Sequence, residues 1–307
     1  MTAPSLMIVA GEASGDMHAA RLVSALRKRR PDLACFGLGG RSMADAGVEL
    51  VRDLVSHAVI GVTEALKKLV DFRRLLRQAE DLLHERRPTG LILVDFPDLN
   101  FRIAARARKL GIPVVYYISP QVWAWRAGRV RTLKRMIARM LVVFPFETDL
   151  YARAGVPVTF VGHPLLDVVR PEEPVAEARA RLLAGAEGPL VGLLPGSRPQ
   201  EVESLLPHMA EAAARFRHGF PSAVFFVPVA PTVDRARVQA HLDAAGLPAR
   251  LVLERPYAAR AAADAALVAS GTATLETALL GVPMIIAYRM HWLSYRLARL
   301  FVRLPYF

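Results

Sequence analysis

Short apolar segments alternate with helix-like segments along this chain, and the series occurs twice. Continuous apolar runs are typical of parallel strands buried on both faces, and intervening helices make βαβ units. The sequence therefore predicts an α/β protein with two Rossmann-like, doubly wound parallel sheets. The predicted strands are SLMIVA (5–10), ACFGLG (34–39), LILVD (91–95), VVYYIS (114–119), MLVVF (140–144), PLVGLL (189–194), AVFFVPV (223–229), RLVL (250–253), AALVAS (265–270) and PMIIAY (283–288).

A break separates the two series. Residues 169–189 carry prolines and charges but no strand-like run, and 307 residues exceed the ~250–300 at which one hydrophobic core stops growing. We predict a first domain over 1–168, a linker with a short helix over 169–188 and a second domain over 189–307. In open α/β sheets, ligands bind beyond the carboxyl ends of the strands. If the halves face each other across a cleft, the residues that follow the strands are the candidate site residues.

The charge of the chain narrows the class of partner. The formal net charge is +12, and arginines lie among large apolar residues in 123–140 and near the end of the chain. We find no paired zinc ligands and no aromatic RNA-binding motif, so no nucleic acid is expected. An anionic membrane surface or a lipid phosphate fits this pattern better. A single cysteine, no signal peptide and no long apolar span predict a cytoplasmic location.

The second half contains two glycine-containing corners, each of which is a turn between a predicted strand and the following helix. In LLPGSRPQEVE (193–203), Gly196, Ser197 and Arg198 follow a predicted strand and precede a helix. Free N–H groups at a helix start, together with a guanidinium group, can bind a phosphate. Ser197 and Gln200 also have capping-box spacing, so a plain helix cap is the alternative for Ser197.

The second of these corners lies in ASGTATLETALLGVP (269–283). Its small residues lead into a helix that carries Glu276, whose carboxylate could accept hydrogen bonds from two vicinal ribose hydroxyls. Taken alone, Glu276 would be an ordinary acid near a helix start. Together the two corners fit a nucleoside diphosphate. The small residues are Ser270, Gly271, Thr272 and Ala273.

The first half has acids at its strand ends instead. Asp95 follows a fully apolar run, and burial raises the pKa of a carboxyl group towards the range of a general base. Asp98 can be a helix N-cap or a substrate residue, and Asn100 follows it. Acids in AGEASGD (10–16) would repel a phosphate, so we expect this corner to order sugar hydroxyls and support a base. Its candidate residues are Gly11, Glu12, Ser14, Gly15 and Asp16.

Seven stretches of the sequence together resemble the lipid-A-disaccharide synthases. They are AGEASGD, VDFPDLN, ISPQVWAWRAGRVR, FPFE, FVGHP, LLPGSR and SGTATLE, in this order. The resemblance, which runs from residue 6 to the end, implies a GT-B glycosyltransferase with two Rossmann-like domains. It implies transfer of 2,3-diacylglucosamine from UDP to the 6-hydroxyl of 2,3-diacylglucosamine 1-phosphate, with inversion. The resemblance also implies an enzyme peripheral on the inner membrane of Gram-negative bacteria.

Site roles follow from the same resemblance. It implies that Asp95 is the base, that Glu12 belongs to the catalytic corner, that Arg198 binds the diphosphate and that Glu276 binds the ribose. No cofactor and no metal are expected. Family members continue with a Ser-Leu-Pro-Asn segment and closing helices, whereas this sequence ends at Phe307. The resemblance thus implies an incomplete second domain, poor solubility and little activity, with homodimers expected of a full-length protein.

Several alternatives stay open from the residues alone. Residues 57–83 place Leu66, Leu69, Phe72, Leu76 and Leu83 on one side, as in an interfacial helix or an ordinary core-facing helix. Trp123 and Trp125 can be core residues or membrane anchors. A GT-B enzyme acting on a soluble UDP-sugar, such as a UDP-N-acetylglucosamine 2-epimerase, would share the second-half corners. A non-catalytic module that binds nucleotide or a lipid surface is the other alternative.

Overall fold

A computed structural model describes residues 4–54, 65–120 and 129–289 of the chain. These residues form two compact units, the first ending at Pro164 and the second beginning at Leu165. Each unit is a parallel sheet with helices packed on it. The predicted fold class, with two doubly wound α/β domains, is therefore confirmed.

The first unit contains a seven-stranded parallel sheet of order β3-β2-β1-β4-β5-β6-β7. The strands are β1 Ser5–Ala10, β2 Ala34–Gly39, β3 Glu49–Asp53, β4 Gly90–Val94, β5 Val114–Tyr117, β6 Arg139–Val142 and β7 Val158–Phe160. The helices within its described residues are α1 Ala13–Arg29, α2 Arg41–Asp45, α3 Ala65–Arg86, α4 Pro97–Lys109, α5 Arg129–Met136 and α6 Pro145–Arg153. A 3₁₀ turn over Pro164–Asp167 follows β7.

The second unit contains a five-stranded parallel sheet of order β10-β9-β8-β11-β12. The strands are β8 Leu190–Leu194, β9 Val224–Pro228, β10 Ala249–Val252, β11 Ala265–Ala269 and β12 Met284–Ala287. The helices of its described residues are α7 Val175–Leu183, α8 Pro199–Gly219, α9 Arg235–Ala244, α10 Pro256–Ala261 and α11 Thr272–Leu279.

The central strands are apolar on both faces because each face meets a separate core. In β1, Met7 and Val9 belong to one buried cluster, and Ile8 and Ala10 to another on the opposite face. Residues of β4 divide between the same two clusters. Alternate side chains of a strand point to opposite faces, so helices must cover both sides of this sheet.

All ten predicted strands are present, and the described residues add two that the sequence analysis missed. Both lie at an edge of the first sheet. The strand β3 has the sequence ELVRD, in which charges replace the continuous apolar run, and β7 has only three residues, Val158–Phe160. Both strands are less fully buried than the central ones, and their sequences lack the continuous apolar run that identified the others.

The segment expected as a linker carries the helix α7. Its side chains Ala178 and Leu182 are buried against Leu190 and Phe226 of the second unit. The helix is therefore part of that unit's core, and the domain boundaries given above stay a prediction.

The apolar side chains described in α3 face the first core. Phe72 and Leu76 pack against the cluster that contains Leu83, so for these three the core-facing alternative is correct. Basic side chains at 73, 74 and 77 are exposed. The side chains of Leu66 and Leu69 lie outside the described residues. So do Trp123, Trp125 and the basic apolar segment 290–307.

No helix within the described ranges combines the length and the apolar composition needed to cross a lipid bilayer.

Candidate active site

The predicted site residues follow the central strand pair of each sheet. In the first sheet, β1 pairs with β4, and the chain runs from this pair towards opposite edges. Glu12 follows β1 and Asp95 follows β4. In the second sheet, β8 pairs with β11 in the same way. Arg198 follows β8, and Ser270–Ala273 follow β11. Such a reversal of strand order is where open α/β sheets bind their ligands.

The first corner packs tightly behind Glu12. A Cβ atom on Gly11 would overlap the aromatic ring of Phe96, so only glycine lets that ring approach the backbone. Glu12 is the N-cap residue of α1 and is partly buried, as is Ser14, whereas Gly15 is buried. The packing links the segment after β1 to the segment after β4.

Asp16 supports the neighbouring helix. Its buried carboxylate accepts hydrogen bonds from the backbone N–H groups of Gly40 (2.7 Å), Ser42 (2.9 Å) and Met43 (3.2 Å). These groups belong to the start of α2, where backbone donors lack partners within the helix. The contacts give Asp16 a structural role, and its contact with substrate stays a prediction.

Asp95 lies on a strained turn. Asp95 and Phe96 have φ values of +45° and +47°, a left-handed conformation that side-chain-bearing residues adopt at a cost of order 1–3 kcal/mol each. The fully buried Asn100 donates from Nδ2 to the Asp95 carbonyl oxygen (2.6 Å), and the Tyr116 hydroxyl donates to the same oxygen (2.6 Å). Asn100 thus holds the backbone of Asp95, while its predicted contact with substrate remains untested.

The surroundings of Asp95 change its acidity. Burial, together with the negative charge of Glu12, raises the pKa of Asp95 from 3.8 to about 6, against a hydrogen bond from the Phe96 backbone. Burial disfavours the charged form, and a nearby like charge acts in the same direction. A carboxyl group with this pKa is ionised at neutral pH yet holds a proton more readily than ordinary Asp, which suits a general base.

Asp98 is not the N-cap of α4. The helix begins at Pro97 with Phe96 as its N-cap, so Asp98 is an exposed residue in the first turn. Proline is favoured at the first helical position because its missing N–H needs no partner there. The helix consequently begins before Asp98. Asp98 as a substrate residue stays a prediction.

In the corner after β8, the Glu201 carboxylate occupies the groups that were predicted to bind a phosphate. Glu201 Oε2 accepts from the backbone N–H groups of Ser197 (3.3 Å) and Arg198 (3.4 Å), and Glu201 Oε1 accepts from the Arg198 guanidinium (3.1 Å). Pro199 is the first residue of α8, which makes Arg198 the N-cap and Glu201 the third helical residue. The capping box expected for Ser197 and Gln200 is therefore wrong by one position.

This second-unit corner is open to solvent. The Arg198 side chain is 64% exposed, and Ser197 is exposed. Gly196 has a φ of +114°, and a Cβ atom there would overlap the Glu201 carboxylate. Glycine thus allows the Glu201 carboxylate to lie directly against the backbone of the turn. A diphosphate bound here would meet donors that Glu201 now engages.

The corner after β11 leads to Glu276. Gly271 is the N-cap of α11 with φ +152° and ψ −156°, a conformation essentially restricted to glycine. Ser270, Gly271 and Thr272 are exposed, and Ala273 is partly buried. The Glu276 carboxylate accepts from the Tyr257 hydroxyl (3.0 Å) and from the Arg260 guanidinium (2.5 Å). Neither partner was predicted from the sequence, because both lie on a different helix, α10.

A buried contact joins two of the motifs that carry the resemblance, ISPQVWAWRAGRVR and FPFE. The Ser119 hydroxyl donates to Glu147 Oε1, and the Phe144 N–H donates to Glu147 Oε2 (3.2 Å). Glu147 is 1% exposed and lies in the first turn of α6. The acid of FPFE therefore joins the start of α6 to the segment after β5.

Two histidines pack against one another in the first unit, and the sequence analysis overlooked the first of them. The rings of His18 and His163 lie edge to face with centroids 6.3 Å apart. Burial and the neighbouring His163 and Arg21 lower the pKa of His18 to about 4, and burial lowers the pKa of His163. His18 is consequently neutral at physiological pH. Its position two residues after AGEASGD was the available signal.

Within residues 4–54, 65–120 and 129–289, no three His, Cys, Asp or Glu side chains are grouped so as to hold a metal ion.

Comparisons with known proteins give a consistent result. A sequence model of the lipid-A-disaccharide synthetase family matches residues 6–307. The lipid-A-disaccharide synthase of Myxococcus xanthus (strain DK1622) is 44% identical over 303 residues, covering 99% of this chain and 79% of the relative.

Solved structures show the same fold at much lower identity. The UDP-GlcNAc 2-epimerase of Neisseria meningitidis bound to UDP-GlcNAc matches with a TM-score of 0.63 and 11% identity, over 96% of this chain and 85% of that one. MurG of Acinetobacter baumannii matches with a TM-score of 0.52 and 14% identity, over 97% and 89%. Both similarities concern the two-domain α/β fold alone.

Proposed function

This chain belongs to the lipid-A-disaccharide synthetase family, a family of glycosyltransferases, and we propose for it the following reaction. The enzyme joins UDP-2,3-diacylglucosamine to 2,3-diacylglucosamine 1-phosphate. The products are a β-1,6-linked disaccharide 1-phosphate and UDP. One observation carries the proposal: an acid with a raised pKa follows the central strand pair of one sheet, and an arginine at a helix start follows that of the other.

The donor is assigned to the second unit. Arg198 and the N-terminus of α8 offer positive charge for the diphosphate, and Glu276 offers a carboxylate for the ribose. A protein with this fold, the Neisseria epimerase, was solved bound to UDP-GlcNAc. Ser270, Gly271, Thr272 and Ala273, with Gly196 and Ser197, complete the proposed donor site.

The reaction is a single displacement with inversion. Asp95 accepts the proton of the acceptor's 6-hydroxyl while the oxygen attacks the anomeric carbon of the donor sugar. The bond from that carbon to the diphosphate oxygen breaks, and UDP leaves with both electrons. Arg198 stabilises the negative charge that grows on the leaving diphosphate. Glu12 raises the basicity of Asp95 through its charge.

An enzyme acting on a soluble UDP-sugar is the main alternative. The likeness to the epimerase is confined to the fold, whereas the family model covers residues 6–307. The two functions differ in what the acyl chains do. Turnover of substrates without acyl chains at the same rate would favour the alternative. UDP binding with no turnover of either substrate would favour a non-catalytic binding module.

We also assign the enzyme to the surface of the inner membrane, on its cytoplasmic side. The exposed basic residues Arg73, Arg74 and Arg77 on α3, and a net charge of +12, support attraction to anionic lipid. Each basic residue near such a surface contributes about 1 kcal/mol, screened within a Debye length. Binding to vesicles that is unaffected by high salt, or equal for neutral lipid, would contradict this assignment.

Mass spectrometry tests the reaction directly. The purified chain is incubated with both acylated substrates, and the masses of the disaccharide 1-phosphate and UDP are followed. Asp95→Asn serves as the catalytic control, and Asp149→Asn, an exposed acid on α6, as the matched control. Product from wild type and Asp149→Asn but not from Asp95→Asn supports the proposal. No product from wild type, with UDP still bound, rejects the reaction for this chain.

A further inference from the structure

The Glu276 carboxylate is held at both oxygens from one neighbouring helix. The Tyr257 hydroxyl donates to Oε1 (3.0 Å) and the Arg260 guanidinium donates to Oε2 (2.5 Å). The guanidinium carbon of Arg260 also lies 5.5 Å from the centre of the Tyr257 ring. Both donors come from α10, which follows β10, whereas Glu276 lies on α11, which follows β11.

We propose that Arg260 and Tyr257 are positioning residues that fix the Glu276 carboxylate for two vicinal hydroxyls of the donor's ribose. This inference rests on the proposed function, which assigns the ribose to Glu276. It adds that the selectivity for a nucleotide with both hydroxyls depends on two residues that do not touch the nucleotide.

The geometry of a carboxylate gives the reason. Each oxygen accepts about two hydrogen bonds, so one donor on each oxygen leaves one acceptor position on each. Vicinal hydroxyls need two acceptor positions at a fixed separation and orientation. A glutamate side chain rotates freely unless both oxygens are held. Donors on both oxygens remove that freedom before the ligand binds, which lowers the entropic cost of binding.

A purely structural ion pair looks different in the same unit. Arg179 pairs with Asp264 at 3.0 Å, with side chains 36% and 46% exposed, and it also donates to the Ala262 carbonyl oxygen. Arg260 and Glu276 are 16% and 12% exposed. The Arg260 Nε lies buried with no hydrogen-bond partner within the described residues. Arg260 is thus placed for the Glu276 carboxylate although one of its own donors remains unused.

Paired calorimetric titrations test the inference. Binding of UDP and of 2′-deoxy-UDP is measured for wild type, Arg260→Lys and Tyr257→Phe. The lysine keeps a positive charge beside Glu276 but lacks the planar fork, and the phenylalanine keeps the ring and loses only the hydroxyl. Arg215→Ala is the matched control, because it breaks an exposed ion pair of the same unit, with Glu211 on α8, and has no contact with Glu276 or α10 among the described residues. Thermal unfolding of each variant is recorded alongside.

The expected result is a change in selectivity. A hydrogen bond to a charged group makes wild type prefer UDP by about tenfold. In Arg260→Lys and Tyr257→Phe this preference falls to about threefold, because UDP, with two hydroxyls for the carboxylate, loses more affinity than 2′-deoxy-UDP, which has one. Arg215→Ala keeps the wild-type ratio.

Two results would overturn the inference, and they are distinguishable. Equal loss of both ligands in the two variants, at an unchanged ratio, shows a structural role and leaves the proposed function in place. A wild type that binds no UDP, or binds both ligands equally, removes the assignment of Glu276 to the ribose together with the inference.

Discussion

Two strand-end corners occupy equivalent places in their sheets but have opposite chemistry. The first corner follows β1 and β4 and contains Glu12 and Asp95, and the second corner follows β8 and contains Arg198 and Glu201. After β1 and β4, burial and the negative charge of Glu12 raise the pKa of Asp95 to about 6. After β8, the acid Glu201 is instead bound by Arg198 and by backbone N–H groups. The first corner is largely buried, whereas Arg198 in the second is mostly exposed.

This difference shows what topology decides and what it leaves to single residues. The reversal of strand order brings both corners to the carboxyl edge of a sheet. Whether that edge holds a proton acceptor or an anion site depends on the residue that follows the strand. Asp95, a buried acid beside another acid, becomes more basic, whereas Glu201 is engaged by an arginine and by backbone donors.

The largest expected effect comes from removing the acid of the first corner. Asp95→Asn takes away the proposed proton acceptor, so turnover should fall by about 10²–10⁴-fold, the usual cost of losing a general base. UDP affinity should stay unchanged, because the proposed donor site lies in the second unit. Turnover is followed by mass spectrometry and UDP binding by calorimetry. A rate near that of wild type would remove Asp95 from the mechanism.

Arg198→Ala tests the second corner and should weaken both binding and chemistry. Loss of a preorganised donor to a developing negative charge costs roughly 3–4 kcal/mol in the transition state, about 10²–10³-fold in rate. UDP affinity should also fall, and Arg198→Lys should restore only part of it. The matched control is Arg215→Ala, which breaks an exposed pair with Glu211 on the same helix. Unchanged UDP affinity in Arg198→Ala would place the diphosphate elsewhere.

A smaller, graded effect is expected from pH. The base must be ionised, so the rate should fall about tenfold for each pH unit below the Asp95 pKa of about 6. The same raised pKa also makes the free energy of unfolding depend on pH, in the opposite direction to the rate. Because folding raises this pKa above 3.8, ionised Asp95 destabilises the fold, and its contribution to stability is lost as pH rises through 6.

Unfolding measurements separate these two signs. Asp95→Asn should be more stable than wild type at pH 7.5, by an amount on the order of 1–3 kcal/mol that disappears near pH 4. An equal difference at both pH values would show that ionisation of Asp95 is not its cause. A rate that is flat down to pH 5 would argue against Asp95 as the base.

Much of the fold is predictable because its strongest signal is local. Short apolar runs such as LILVD, alternating with helix-like segments, predict parallel strands, and all ten strands predicted in this way are present. The two edge strands of the first sheet, β3 and β7, lack such a run, as ELVRD shows with its charged ends. The described part of α3 shows a different limit. A core-facing apolar stripe and a membrane-facing one have the same sequence pattern, and only packing of Phe72 and Leu76 distinguished them.

Site prediction failed where side chains act across sequence distance. Glu276 was identifiable from its place after a glycine corner, but Arg260 and Tyr257 contact it from 16 and 19 residues away. A one-residue shift caused the other error. Pro199 fixes the start of α8, so the side chain that completes the capping box is that of Glu201 rather than that of Gln200. The sequence contains this signal, because proline at the first helical position sets the numbering of the turn.

The smallest expected effect concerns the carboxylate that now fills the second corner. Glu201 engages the Ser197 and Arg198 N–H groups and the Arg198 side chain, and a diphosphate would need the same donors. Glu201→Gln removes the competing charge but keeps a side chain of the same size. UDP affinity should therefore rise by about threefold, while the free energy of unfolding falls by about 0.5–1 kcal/mol through the weaker helix cap.

A double-mutant cycle sharpens this last expectation. In Arg198→Ala, the Glu201 charge is left without its guanidinium partner and repels the diphosphate more strongly. Adding Glu201→Gln to Arg198→Ala should then raise UDP affinity by more than it does in wild type, so the two changes are not additive. Glu203→Gln, an exposed acid on the same helix, is the matched control and should leave UDP affinity unchanged. If Glu201→Gln instead lowers UDP affinity in the wild-type background, Glu201 orients Arg198 for the diphosphate. The second corner would then resemble the Glu276 cluster, where a charged partner positions the binding group.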